Sequence, residues 1–92
     1  MQMLTQHASS RMQQRGIKPD TVDVLLACGA REYDHCGAAL VYFDKQARKR
    51  VLSRYGSSQY RLFEGQLNAY AVLSEGGTVV TVGHRTKRIN RH

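Results

Sequence analysis

The sequence predicts an α+β domain: two N-terminal helices packed on a small, mostly antiparallel β-sheet, with one further helix. Three observations carry this. Apolar residues recur at helical spacing through the first third of the chain. After Gly29 the pattern turns to two-residue alternation and short apolar runs. Near the C-terminus, a glycine turn at Glu75-Gly76-Gly77 joins two segments rich in strand-forming residues.

The first helix is expected over 5–15, with Leu4, Ala8 and Met12 on its apolar ribbon and Gly16 as its stop. Pro19 suits the first position of a second helix, and Asp20 and Asp23 fall in its electropositive first turn. Val22, Leu25 and Leu26 give that helix an apolar stripe, and Gly29 ends it. The two helices are either antiparallel neighbours or a tight corner. Residues 31–34 and 38–43 read as strands around a turn near Gly37. Over 44–55 the spacing is helical again, with Ala47, Val51, Leu52 and Tyr55 on one stripe, Asp44 as N-cap and Gly56 as stop. Tyr60, Leu62 and Phe63 fit a short helix as well as a strand. Residues 68–74 and 78–84 form a β-hairpin. Alternation sends Thr78, Val80, Val82 and His84 to one face and Val79, Thr81, Gly83 and Arg85 to the other. Because it is apolar on both faces, this last strand reads as fully buried.

The 92 residues make one domain spanning 1–92, and 41% hydrophobic residues with a single proline argue for a packed core. Fourteen Lys and Arg against seven Asp and Glu give a net charge of +7, which favours a polyanionic partner: nucleic acid, an acidic protein or an anionic membrane surface. No apolar run approaches the roughly 20 residues a spanning helix needs. The N-terminus carries no signal-peptide apolar region, so no membrane role is expected. Cys28 and Cys36 form neither a C-x-x-C pair nor a disulfide framework, and the simplest compartment is a reducing cytoplasm. Cys28 reads as a small buried hydrophobe at a helix end, Cys36 as a thiol in a loop or at a strand edge.

His7, Arg11 and Arg15 recur every four residues and share one ribbon beside the apolar one. An imidazole with two guanidinium groups can hold a phosphate and move a proton beside it. Equally, Arg11 and Arg15 lie where cations complement the helix dipole. A second basic group, Lys45, Arg48, Lys49, Arg50 and Arg54, surrounds the stripe of the central helix and is interleaved with Tyr42, Tyr55 and Tyr60. That mixture suits single-stranded nucleic acid, with bases stacking on rings and cations tracking the backbone. It also describes an ordinary solvated helix whose tyrosines pack inward. The C-terminal run from His84 and Arg85 through Lys87 and Arg88 either clamps a phosphate backbone or keeps the chain soluble. His84 and Arg85 still belong to the strand, so their directions are fixed.

No metal site or cofactor is expected. Asp34, His35 and Cys36 are adjacent, a poor spacing for convergence on one ion, and the seven carboxylates are scattered. Neither a glycine-rich phosphate loop nor a nucleophile elbow is present. Metal-free phosphodiester chemistry remains. It needs a base for the 2′-hydroxyl, an acid for the leaving oxygen and cations for the charge developing on phosphorus.

The opening Leu4-Thr-x-His7-x-x-x-Arg11-Met12-x-x-Arg15-Gly16-Ile17 and the closing Gly77-Thr-Val-Val-Thr81-Val82-Gly-His84-Arg85 resemble a family of small bacterial domains of unknown function. That family pairs an H-x3-R-M-x2-R-G-I helix with a late (V/I)-T-V strand. Such domains are similar to the RelE/ParE/BrnT toxin group, with N-terminal helices on a curved antiparallel sheet. The resemblance implies a RelE/barnase-like toxin fold and an RNase-type toxin, silenced by an acidic antitoxin or immunity protein, with its site on the sheet near the last strands. His7, Arg11 and Arg15 match the opening motif; Thr81, His84 and Arg85 match the closing one. The basic helical insert over 44–55 is longer than in the smallest members, and ParE-like members inhibit gyrase instead of cutting RNA.

The expectation is therefore a cytoplasmic, metal-independent endoribonuclease of toxin type that cleaves RNA, free or ribosome-bound, by 2′-hydroxyl attack. His7 or His84 would serve as base or acid. Arg11, Arg15 and Arg85 would hold the phosphate, and Thr81 would orient a neighbour. Lys45, Arg48, Lys49, Arg50, Arg54, Lys87 and Arg88 would contact the nucleic acid, and the chain could work as a homodimer. The alternative is a non-catalytic ParE-like inhibitor or a binding module for an acidic protein or nucleic acid.

Overall fold

The computed structural model describes residues 4–34 and 36–85, which form an α+β fold. Helix α1 spans Gln6–Arg15: the Thr5 hydroxyl accepts from the Ala8 N–H at its start, and Gly16 ends it at φ 66°. Helix α2 spans Pro19–Cys28, begun by proline and closed at Gly29, whose N–H donates to the Leu25 carbonyl. Strands β1 (Ala30–Tyr33) and β2 (Ala39–Tyr42) follow. In the turn between them, the Asp34 carboxylate accepts from the N–H groups of Cys36 and Ala38.

Helix α3 spans Lys45–Phe63, and its N-cap Asp44 accepts from the Ala47 N–H at 2.7 Å. The expected stop at Gly56 is instead a kink. Gly56 adopts φ 84°, ψ 166°, a conformation open essentially to glycine alone, and the chain then re-enters the helix. The segment that fitted helix or strand equally well is the second half of α3, and it buries Phe63. A 3-10 turn over Glu64–Gln66 leads to β3 (Ala69–Leu73) and β4 (Val79–His84).

The sheet runs in the order β1-β2-β3-β4 with every pair antiparallel, and Leu4 adds a single parallel bridge to Val79. One hydrophobic cluster joins Ala8 and Met12 of α1, Val22 and Leu25 of α2 and Val51 of α3 to Val41, Ala71, Val79 and Val82 of the sheet. The helices therefore cover one face. The alternate positions Leu40, Tyr42, Tyr70 and Val72 belong to the other, and none of them is part of that cluster.

Two expectations about β4 need correction. Its pairing slips between Val72 and Leu73, which face Thr81 and Val79, so Val80 is an extra, bulged residue. The bulge puts Val79 on the core face with Val82, not on the Thr81 face. The strand is also not fully buried, since Val80, Thr81 and His84 are half-exposed.

Helix α1 runs alongside β4 in the same direction. The Thr5 N–H donates to the Val79 carbonyl and its hydroxyl to the Val80 carbonyl, while at the far end His84 meets the Arg15 carbonyl. The lengths match closely, because ten helical steps cover about 15 Å and five strand steps about 16 Å. At the corner between helices, the Gln66 side chain accepts from Lys18 N–H and the Thr21 hydroxyl and donates to the Gly16 carbonyl. Thr21, the one buried polar side chain among the described residues, is satisfied this way.

Candidate functional site

The six residues expected to form the centre lie on two sides of the sheet. On the helix side, the His84 Nε2–H donates to the Arg15 carbonyl at 3.0 Å, and its Nδ1 lies 2.8 Å from Asn68 Oδ1. Both ring nitrogens are engaged, and the ring fastens the end of α1 to β4 by satisfying a carbonyl that a helix C-terminus leaves open. His7 is exposed near the other end of α1, about 12 Å of helical rise from Arg15. Arg11 is half-buried and Arg15 exposed. The structure thus brings His84 to the backbone of Arg15 but does not gather His7, Arg11, Arg15 and His84 around one point.

Thr81 and Arg85 occupy the opposite face. Gly83 and Tyr70 are paired, as are Tyr70 and Tyr42, so the register carries Arg85 toward β2. Its guanidinium carbon lies 4.8 Å from the centroid of the Tyr42 ring, a cation–π contact. The Tyr42 hydroxyl in turn donates to the Glu32 carboxylate at 2.5 Å. The Arg85 backbone is fixed as well, its N–H donating to the Asn68 carbonyl at 2.7 Å. Tyr70 lies across Gly83, where a β-carbon would come within 2.9 Å of the phenol oxygen and 3.0 Å of the ring. Glycine at 83 is what lets that ring settle.

The Nη1 nitrogen of Arg85 is buried and has no hydrogen-bond partner among the described residues. An unsatisfied buried donor costs about 1–3 kcal/mol, more when charged. A protein tolerates such a group where a ligand completes it, and the ligand that suits a guanidinium fork is an oxyanion. Arg85, Tyr42, Tyr70, Glu32 and Thr81 therefore form one cation, two aromatic rings, a carboxylate and a hydroxyl on a single face.

The basic residues of α3, Lys45, Arg48, Lys49, Arg50 and Arg54, are exposed. They do not interleave with the three tyrosines. Tyr42 belongs to the other face of the sheet, while Tyr55 and Tyr60 pack against the core, Tyr55 edge-on to Phe63. Arg50 Nε donates to the Cys28 carbonyl at 2.9 Å, and Arg54 lies 5.7 Å from the Tyr55 ring centroid. Lys87, Arg88 and His35 lie outside the described residues. Among the described residues, no group of three His, Cys, Asp or Glu side chains could hold a metal ion. Cys28 is buried and Cys36 exposed, both as free thiols.

Sequence reasoning did not single out Glu32, Tyr70 or Asn68, nor Tyr42 as a partner of Arg85. The signal for the rings was present: Tyr42 and Tyr70 stand out of phase with the core residues Val41 and Ala71. No protein-family model, curated protein or solved structure matches the chain.

Proposed function

We propose that the chain acts on RNA as a metal-independent endoribonuclease of toxin type, and that its working surface is the sheet face bearing Arg85. The observation that carries this reading is the Arg85 guanidinium, held over the Tyr42 ring with a buried Nη1 that has no hydrogen-bond partner among the described residues. The net charge of +7 supports a polyanionic substrate. In the proposed reaction the 2′-oxygen bonds to phosphorus and its proton passes to Glu32, which Tyr42 positions. The phosphorus–5′-oxygen bond breaks, the 5′-oxygen takes a proton from water, and a 2′,3′-cyclic phosphate is left. Arg85 neutralises the charge developing on the phosphoryl oxygens. Tyr70 offers a ring for a neighbouring base, and Thr81 a hydroxyl on the same face. His7, Arg11 and Arg15, across the sheet, contribute electrostatic attraction and no bond-making group.

No described helix is long and apolar enough to cross a membrane. A toxin of this kind would work in the cytoplasm, restrained by an acidic antitoxin or immunity protein.

One observation favours a second reading, a binding module without catalysis. Among the described residues, no imidazole stands near Arg85: His84 is engaged at both nitrogens on the helix side, and His7 lies on the helix side at the far end of α1. End-labelled single-stranded RNA incubated with the protein in a chelator separates the two readings. Products ending in a cyclic phosphate, lost in both Arg85→Ala and Glu32→Gln, support the nuclease. Binding lost in Arg85→Ala without any product supports the module. Arg85→Ala that binds and cuts like the parent refutes both.

A further inference from the structure

We infer that the cleft between the C-terminal end of α2 and the first half of α3 is a phosphate-binding site, separate from the Arg85 face. The cavity measures about 250 Å³ and is lined by Ala27, Cys28, Arg50, Ser53 and Arg54. Ser53 and Arg54 follow Arg50 by three and four residues, so each neighbours it on the surface of α3. No carboxylate belongs to that lining. Two guanidinium groups one turn apart repel each other, and a bound anion relieves that repulsion.

Arg50 is oriented as well as charged. Its Nε donates to the Cys28 carbonyl, which fixes the plane of the guanidinium and leaves both Nη nitrogens for a ligand. Helix α2 has no basic residue in its own last turn, and the same contact places a cation at its C-terminus beside that of Arg31, whose Nη2 donates to the Leu26 carbonyl. Arg54 makes no such bond and carries only a long contact to Tyr55.

The donor set selects the anion. A carboxylate offers two oxygens in one plane and is satisfied by a single fork. Two guanidinium groups and the Ser53 hydroxyl present donors in more than one plane, which suits the tetrahedral oxygens of a phosphate. The volume lies below the roughly 300–1,000 Å³ of pockets that enclose whole drug-sized ligands, so the cleft takes a phosphate with little of what it is attached to. That phosphate belongs either to a free nucleotide or to a nucleic-acid backbone, and Lys45, Arg48 and Lys49 lie exposed on the same half of α3.

The test titrates inorganic phosphate, a nucleoside monophosphate and a short single-stranded oligonucleotide into the folded protein, followed by backbone amide NMR shifts. Inorganic phosphate is expected to move the Cys28, Ser53 and Arg54 signals. Arg54→Gln, which leaves the Arg50 contact to α2 in place, is expected to weaken that binding at least tenfold, and Arg50→Lys, charged but without the fork, to weaken it too. Arg85→Ala is expected to leave phosphate affinity at these signals unchanged, so this proposal can fail while the reading of the Arg85 face stands, and the reverse. If the monophosphate binds as inorganic phosphate does, the source is a free nucleotide. If the oligonucleotide alone binds more tightly, and loses that gain in Arg54→Gln, the source is a backbone. Phosphate that leaves these signals unmoved, or binds Arg54→Gln as it binds the parent, overturns the assignment.

Discussion

Arg85→Met separates a functional arginine from a structural brace, because the two roles predict opposite balances of stability and binding. The substitution keeps most of the apolar stem and removes the charged fork. It deletes the contact with the Tyr42 ring, worth about 0.5–1 kcal/mol at exposed sites and about 2 kcal/mol when desolvated. It also deletes a buried donor without a partner, whose presence costs about 1–3 kcal/mol. The loss of the first destabilises the variant and the removal of the second stabilises it, so the net is expected to lie between about 1 kcal/mol lost and about 2.5 kcal/mol gained. Binding has no such compensation. A hydrogen bond to a charged group contributes about 1.5–3 kcal/mol, which amounts to roughly 10- to 100-fold in RNA affinity. Losing one phosphate contact also lowers the magnitude of the salt slope by about 0.7 on a single strand. Urea denaturation supplies the first quantity, and fluorescence anisotropy at several salt concentrations the second. A variant that loses more than about 2 kcal/mol of stability yet binds RNA with the parent's affinity and salt slope would refute the reasoning, since Arg85 would then be a brace.

Two further substitutions test the scaffold that sets this face. Gly29→Ala places a β-carbon 2.5 Å from the Leu25 carbonyl oxygen and 2.7 Å from Val41 Cγ1, at an ordinary φ of −66°, so the effect is purely steric. Overpacking of this kind costs about 1–3 kcal/mol, and each kcal/mol lowers the melting temperature of a domain this size by about 4–8 °C; calorimetry checks it, and an unshifted transition would contradict it. Replacing His84 by alanine frees the Arg15 carbonyl and Asn68, with an expected loss of about 1–2 kcal/mol concentrated at the end of α1. Hydrogen exchange at Gly16 and Ile17, whose N–H groups bond back to Gln13 and Met12, reports that opening, and protection equal to the parent's would show that the ring holds nothing.

The elements that could be read from the sequence are those whose cause is local. Thr5 and Asp44 cap with their own side chains, Pro19 presets φ, and Gly16 supplies the left-handed end of α1; each acts within a turn of its position. Gly56 shows where such reading stops. A positive φ there was legible as a break, but nothing local says that the chain resumes a helix on the far side. That continuation is decided by tertiary packing, as Phe63 is buried in the common core. The bulge at Val80 is harder still, because register is a property of two strands. Val80 becomes the extra residue only through the partners of Thr81 and Val79 on β3.

The site was half legible for the same reason. From Thr81 onward alternation correctly puts Arg85 opposite Val82 and His84, which already argues against one centre built from His84 and Arg85 together. What alternation cannot supply is the neighbour. Tyr42 reaches Arg85 only because β2 pairs with β3 and β3 with β4, linking Tyr42, Tyr70 and Gly83 across three strands. The apolar character of β4 on both faces therefore has a cause other than burial between two layers. One face meets the helices, and the other adjoins a ring-lined surface on which a guanidinium can rest out of water. A sheet backed by helices on one side alone ordinarily presents polar residues on the other. Two tyrosines, one of them (Tyr42) fully buried, a glycine that makes room for the other and an incompletely satisfied arginine are a costly way to finish a face that no described helix covers, and a bound oxyanion would offset that cost.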